Sequence, residues 1–276
     1  MDAPGIVLVL GAGGTRGPAH AGVLRRLRAE GIPLEVIVGC SVGAIVAAMY
    51  AAVGMEPDEM IDAARSIGPA SLLGFALSRW RIPVVSAAAL SRAAGIPGHL
   101  ERLDRASFQT LCHGVRRLGI LVYDLTRRLE LLAYGGPGLG SALSLGAAVK
   151  ASAAIPVLFP PLRARLNGRP RLLVDPGLLT AVPVERAFAP PVAARRVIAV
   201  DLGLRLCLRQ ARRSYWAHLE DVCGDRLVVL RPDVRGTGTV VPRRGDVDRL
   251  VSAGEEACSG DALTTIRRWI GAPGAR

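Results

Sequence analysis

The feature that most constrains this chain is a strand, a glycine turn and a helix, written twice in its first 54 residues. IVLVL (6–10) is a short, wholly apolar run, as a parallel strand buried on both faces requires. A glycine-rich loop follows at 11–17, then HAGVLRRLRAEG with a helical period and Gly31 at its end. LEVIV (34–38) repeats the strand, Gly39-Cys40-Ser41-Val42-Gly43 makes the turn, and VGAIVAAMYAAVG repeats the helix. Pro57 opens a third helix, PDEMIDAARSI. Such alternation builds a sheet covered by helices on both faces.

Residues 36–55 carry no charge and are long enough to cross a bilayer. The glycines at 39 and 43, and the change from β-branched to Ala-rich residues, predict instead a buried strand, a turn and a helix. The stretch 131–149 is broken by Gly and Pro and is read as non-spanning too. Further strands are expected at 119–125, 171–175, 196–202 and 226–232, with 245–270 closing the chain as a helix. The expected fold is a three-layer α/β/α arrangement with a mostly parallel central sheet, in a single domain over 5–270. Residues 68–100 read as a buried helix or as a cover over a site.

The net charge is +12, and Lys150 is the only lysine among 35 basic residues. Scattered arginine without a long basic run, with aromatics at 4%, argues against nucleic acid. It leaves compositional bias, or peripheral contact with an anionic membrane, as explanations. Five cysteines (Cys40, Cys112, Cys207, Cys223, Cys258) lack metal or redox spacing. With no basic start of a signal peptide, a cytoplasmic protein with reduced thiols is expected. No metal or cofactor is expected. The oligomeric state is not legible.

Gly39-Cys40-Ser41-Val42-Gly43 fits G-x-S-x-G. Serine on a sharp strand-to-helix turn projects its hydroxyl clear of the sheet, and the flanking glycines let neighbouring backbone approach. The loop Gly11-Ala12-Gly13-Gly14-Thr15-Arg16-Gly17 stands where a dinucleotide loop would. Arg16 occupies the third glycine position of that fingerprint, and no acid follows the second strand. A P-loop fails for want of its Gly-Lys pair. The remaining use is to aim backbone N–H groups at an oxyanion, with Gly13 and Gly14, and also Thr15, as donors. None of the four histidines (His20, His99, His113, His218) stands where a triad base would, so a carboxylate is the expected base. Asp124 and Asp201 each end an apolar strand and read as turn caps. Cys40 reads as a packing residue.

Several segments in order resemble the patatin-like phospholipase family in its compact bacterial form. LVLGAGGTRGPAHAGVL resembles its glycine-rich oxyanion segment, with Gly11, Arg16 and Gly17 in place. VGCSVGAIVAAMYA resembles its nucleophile elbow, and VKASAAIPVLFPPL (149–162) its A-S-x-A-I-P segment. LLVDPGLLTAVPV (172–184) stands where the family carries D-G-G or D-G-A, and RPDVRGTG and LVSAGEEA resemble its last strand and helix. The resemblance implies Ser41 as nucleophile, Asp175 as base and hydrolysis of acyl esters, often of lipids, without a metal. Two rivals stay open: an acyltransferase using the same dyad, and a catalytically weak regulatory or binding relative. Pro176 replaces the first glycine before Gly177, and Thr180 replaces the usual Asn, and both put a supporting hydrogen bond in question.

Overall fold

The computed structural model describes residues 5–68, 70, 89, 92–93, 95–204, 213–239 and 245–271. Most of 68–100 therefore lies outside the described residues, as does Cys207.

Eight strands among these residues form one sheet: β1 (Ile6–Leu10), β2 (Val36–Cys40), β3 (Arg117–Asp124), β4 (Leu129–Gly135), β5 (Leu162–Leu166), β6 (Arg169–Val174), β7 (Arg196–Val200) and β8 (Leu227–Leu230). Five of them, in the order β3-β2-β1-β7-β8, are parallel. The period-two rule assigns their side chains. Ile6, Leu8, Leu10 and Ile37 enter one core, and Val7, Val9, Val36 and Val38 the other. The longer side chains thus share the face that carries more helices.

That face is covered by α1 (Pro18–Ala29), α2 (Val42–Ala51), α3 (Pro57–Ser66), α4 (Ile96–Arg105) and α5 (Leu145–Ser152). The last two helices, α8 (Asp246–Ala257) and α9 (Gly260–Gly271), pack there too. The opposite face carries α6 (Val184–Phe188) and α7 (Arg213–Cys223). The three layers and the mostly parallel sheet agree with the expectation. The stretch 36–55 is β2, the turn and α2, and 131–149 begins in β4 and ends in α5. No helix among the described residues is long and apolar enough to cross a membrane.

Three details differ from the sequence reading. The stretch 245–270 is two helices, because Cys258 leaves helical geometry (ψ 44) and Gly260 takes φ 55. β4 was not expected, since its exposed and half-buried residues alternate weakly. β5, LRARL, was missed for the same reason: its arginines point out and its leucines are only half-buried.

β3 positions the rest. β2 pairs with its residues 117–121 in parallel, and β6 pairs with Tyr123 and Asp124 antiparallel. β4 occupies the other edge along 118–124. Hence β2 and β6 run toward each other along one edge of β3. Cys40 is opposite Leu121 and Val174 is opposite Tyr123, so the two strands end facing one another across a gap beside Val122. The next residues on the two strands are Ser41 and Asp175.

Helix α1 is fixed just as tightly. A Cβ on Gly22 would lie 2.1 Å from the Val251 carbonyl oxygen, and one on Gly254 would lie 2.1 Å from that of Ala19. Helices α1 and α8 therefore cross in backbone contact, which only paired glycines permit.

Candidate active site

Ser41 ends β2 and caps α2 with φ 56 and ψ −123. A residue with a side chain pays for such a backbone state, and it persists only where the surroundings enforce it. They do so here. A Cβ on Gly39 would lie 2.6 Å from the Gly43 carbonyl oxygen and from the Ala44 Cα, so the turn closes on itself. The Ser41 N–H donates to Ser152 Oγ at 2.9 Å, from the end of α5.

Ser41 Oγ donates to Asp175 Oδ2 at 2.5 Å, across 134 residues of sequence. Both side chains are buried. Asp175 is held by its own N–H, which donates to the Ala154 carbonyl at 3.0 Å. Its Oδ1 accepts the Gly177 N–H at 2.7 Å. The carboxylate therefore finds its backbone donor one residue beyond Pro176, and the proline does not remove it. Burial pushes the Asp175 carboxyl up to about 6, against the two hydrogen bonds that favour the ionised form. It is an anion at neutral pH, and a stronger base than an exposed aspartate.

The glycine loop lies against the elbow. A Cβ on Gly43 would stand 2.1 Å from the Leu10 carbonyl oxygen and 2.7 Å from that of Gly11, and one on Gly17 would stand 2.5 Å from Val42 Cγ2. Gly11 donates to the Val200 carbonyl, Ala12 donates to that of Ala181, and buried His20 donates Nε2–H to the Gly11 carbonyl at 2.8 Å. Burial holds the His20 imidazole down at about 4, so it is neutral. Gly14 takes φ 58, beside Thr239.

The expected donors divide here. The Thr15 N–H is given to the Thr239 carbonyl at 2.9 Å, and its hydroxyl to that of Gly238 at 2.8 Å. Thr15 thus ties the loop down rather than offering a donor. The N–H groups of Gly13 and Gly14 are bonded to no acceptor among the described residues. Arg16 also orders the loop: its guanidinium donates to the carbonyls of Leu202, Gly203 and Thr237.

None of the four histidines hydrogen-bonds to Ser41 or Asp175. Asp124 accepts from the N–H groups of Thr126 and Arg127, and Asp201 from that of Gly203, so both are turn caps. Cys40 is buried, and its thiol donates to the Thr180 carbonyl at 3.3 Å. Thr180 Oγ1 donates to Glu130, which Arg186 also grips. Sequence reasoning missed Ser152. The only signal for it was its place inside the A-S-x-A-I-P segment.

A family model described as patatin-like phospholipase matches residues 8–188. An uncharacterized NTE family protein of Mycobacterium bovis is 33% identical over 206 residues, covering 73% of this chain and 50% of that protein. Lysophospholipase NTE1 of Mycosarcoma maydis is 32% identical over 200 residues, covering 72% of this chain and 10% of that protein. The chain thus spans half or less of the length of these relatives. The solved structure of VipD from Legionella pneumophila matches 97% of this chain and 67% of its own, with a TM-score of 0.52. At 16% identity that likeness concerns the fold alone. With the family model covering most of the chain and with relatives a third identical, the chain belongs to the patatin-like phospholipase family.

Proposed function

We propose that the chain is a serine hydrolase of lipid acyl esters, with residues 5–270 acting as a single catalytic domain. Ser41 attacks the ester carbonyl while its proton passes to Asp175 Oδ2. The N–H groups of Gly13 and Gly14 receive the oxyanion, and such a preorganised donor is typically worth about 2.7–4 kcal/mol in the transition state. The N-terminus of α2, next to Ser41, adds a favourable field. Collapse of the tetrahedral intermediate expels the alcohol, which takes the proton back from Asp175. Water then gives a proton to Asp175 as it attacks the acyl-serine, and the proton returns as Ser41 leaves with the acid released.

The observation that carries this reading is the 2.5 Å contact between Ser41 Oγ and Asp175 Oδ2 at a strained elbow. The fungal relative named a lysophospholipase supports lipid as the acyl source. The test is turnover of esters of graded acyl length, with Ser41→Ala and Asp175→Asn as controls and a serine-directed phosphonate as probe. Stoichiometric labelling of the wild type, abolished in Ser41→Ala, is expected. Turnover surviving in Ser41→Ala would remove this reading, and a wild type that resists the probe would favour a binding module. Products formed with an added alcohol acceptor separate hydrolysis from acyl transfer.

A further inference from the structure

Seven large apolar side chains stand exposed among the described residues: Leu125 and Leu129 flank the β3–β4 turn, Leu172, Leu178 and Leu179 lie on either side of Asp175, Val157 follows α5, and Val222 lies apart on α7. Val157 is three residues past Ala154, whose carbonyl holds the Asp175 N–H. It is 91% exposed and sits at φ 74, a backbone state β-branched residues avoid. Leu178 and Leu179 follow Asp175 in the turn closed by Leu179 and Thr180 N–H groups on the Pro176 carbonyl. Leu172 precedes Asp175 on β6 and accepts the Leu125 N–H, and Leu129 begins β4 just beyond that turn.

The charge at this edge has one sign. Arg127 and Arg128 fill the β3–β4 turn, Arg163 and Arg165 lie on β5, and Arg169 opens β6, all exposed. Arg163 is directly opposite Leu172, so the two share a face of the hairpin. None of the five forms an ion pair among the described residues. The acids of these segments are already engaged, Asp124 by Arg171 and Glu130 by Arg186. Between Glu130 and Glu185 the sequence holds a single acid, the buried Asp175.

We infer that this edge is a docking surface for an anionic phospholipid bilayer. Exposed aliphatic side chains interleaved with arginines that form no ion pair among the described residues match both parts of such a surface: acyl chains for the leucines and Val157, phosphate head groups for the arginines. Docking there sets the mouth of the Ser41–Asp175 pair on the lipid. That consequence rests on the proposed hydrolase reading, whereas the docking itself does not.

The experiment is vesicle flotation of the full chain. Vesicles of phosphatidylcholine alone are compared with vesicles carrying about a third phosphatidylglycerol, at low and high salt. Strong flotation with the anionic vesicles, weakening as salt rises, is expected. Arg127→Gln/Arg163→Gln/Arg165→Gln should weaken it on the order of tenfold or more. Val157→Ser/Leu178→Ser/Leu179→Ser should weaken it comparably, with the urea unfolding midpoint unchanged. Ser41→Ala should float like the wild type, and a wild-type chain that floats yet hydrolyses no ester would refute the hydrolase reading and leave this one standing. Arginine or apolar triple variants that float like the wild type, equal binding to neutral vesicles, or equal binding to a DNA duplex at the same salt would overturn the assignment.

Discussion

Ser152 Oγ accepts the N–H of Ser41 at 2.9 Å, and two residues later the Ala154 carbonyl accepts that of Asp175 at 3.0 Å. One short segment at the end of α5 therefore grips the backbone of both Ser41 and Asp175. Their side chains meet at 2.5 Å.

Ser152→Ala leaves the buried Ser41 N–H without an acceptor, which costs about 1–3 kcal/mol. We expect kcat to fall on the order of tenfold to a hundredfold with KM little changed. Ser152→Thr, which keeps the hydroxyl, should recover part of the loss. The acid limb of the rate profile should also move upward in Ser152→Ala, because a displaced Ser41 no longer lowers the Asp175 pKa. Unaltered kcat in the alanine variant would show that the elbow holds itself.

The pH dependence follows from the base. A carboxyl near 6 must be ionised to accept the Ser41 proton, so kcat/KM should rise with unit slope and level off above about pH 6. His20 is neutral throughout that range and bonded away from the dyad, so it adds no second limb. Steady-state rates on a soluble ester between pH 4.5 and 9 provide the check, and a plateau already reached at pH 4.5 would contradict it.

Asp175 should also weaken the fold that it serves. Its pKa is higher in the fold than the ordinary 3.8, so its contribution is most favourable below about pH 4 and is lost as pH rises through 6. Asp175→Asn removes that penalty. At pH 8 the variant should be more stable by up to about 3 kcal/mol, and the gap should close as pH falls toward 4. Urea denaturation at both pH values measures it, and a variant less stable than wild type at pH 8 would count against a desolvated carboxylate.

Gly43→Ala drives a Cβ to within 2.1 Å of the Leu10 carbonyl oxygen, where both partners are backbone. The glycine loop and the elbow would have to separate. A loss of about 3 kcal/mol in stability is expected, together with loss of phosphonate labelling. Near-native stability and labelling would show that this contact can relax.

Part of the fold and part of the candidate site were legible in the sequence. The strands at 6–10 and 196–202, and the glycine-bracketed serine, could be read directly, because burial on both faces and a sharp turn leave few residue choices. Asp175 could not be selected from its residues alone. It came from the resemblance, while Asp124 and Asp201 looked similar and proved to be caps on their own turns. β4 and β5 were missed because half-exposed edge strands have no strong pattern.

By itself, then, the sequence determined the buried strands, the elbow and the glycine loop, since each is marked by residue types within a few positions of one another. Only the tertiary structure decided that β2 and β6 meet end to end on β3, that α5 grips both Ser41 and Asp175, and that Thr15 is spent on Thr239 while Gly13 and Gly14 are not. Those relations join residues scores of positions apart. Hydrogen-bond partners so distant are fixed by how the layers pack, which no local pattern of residues encodes.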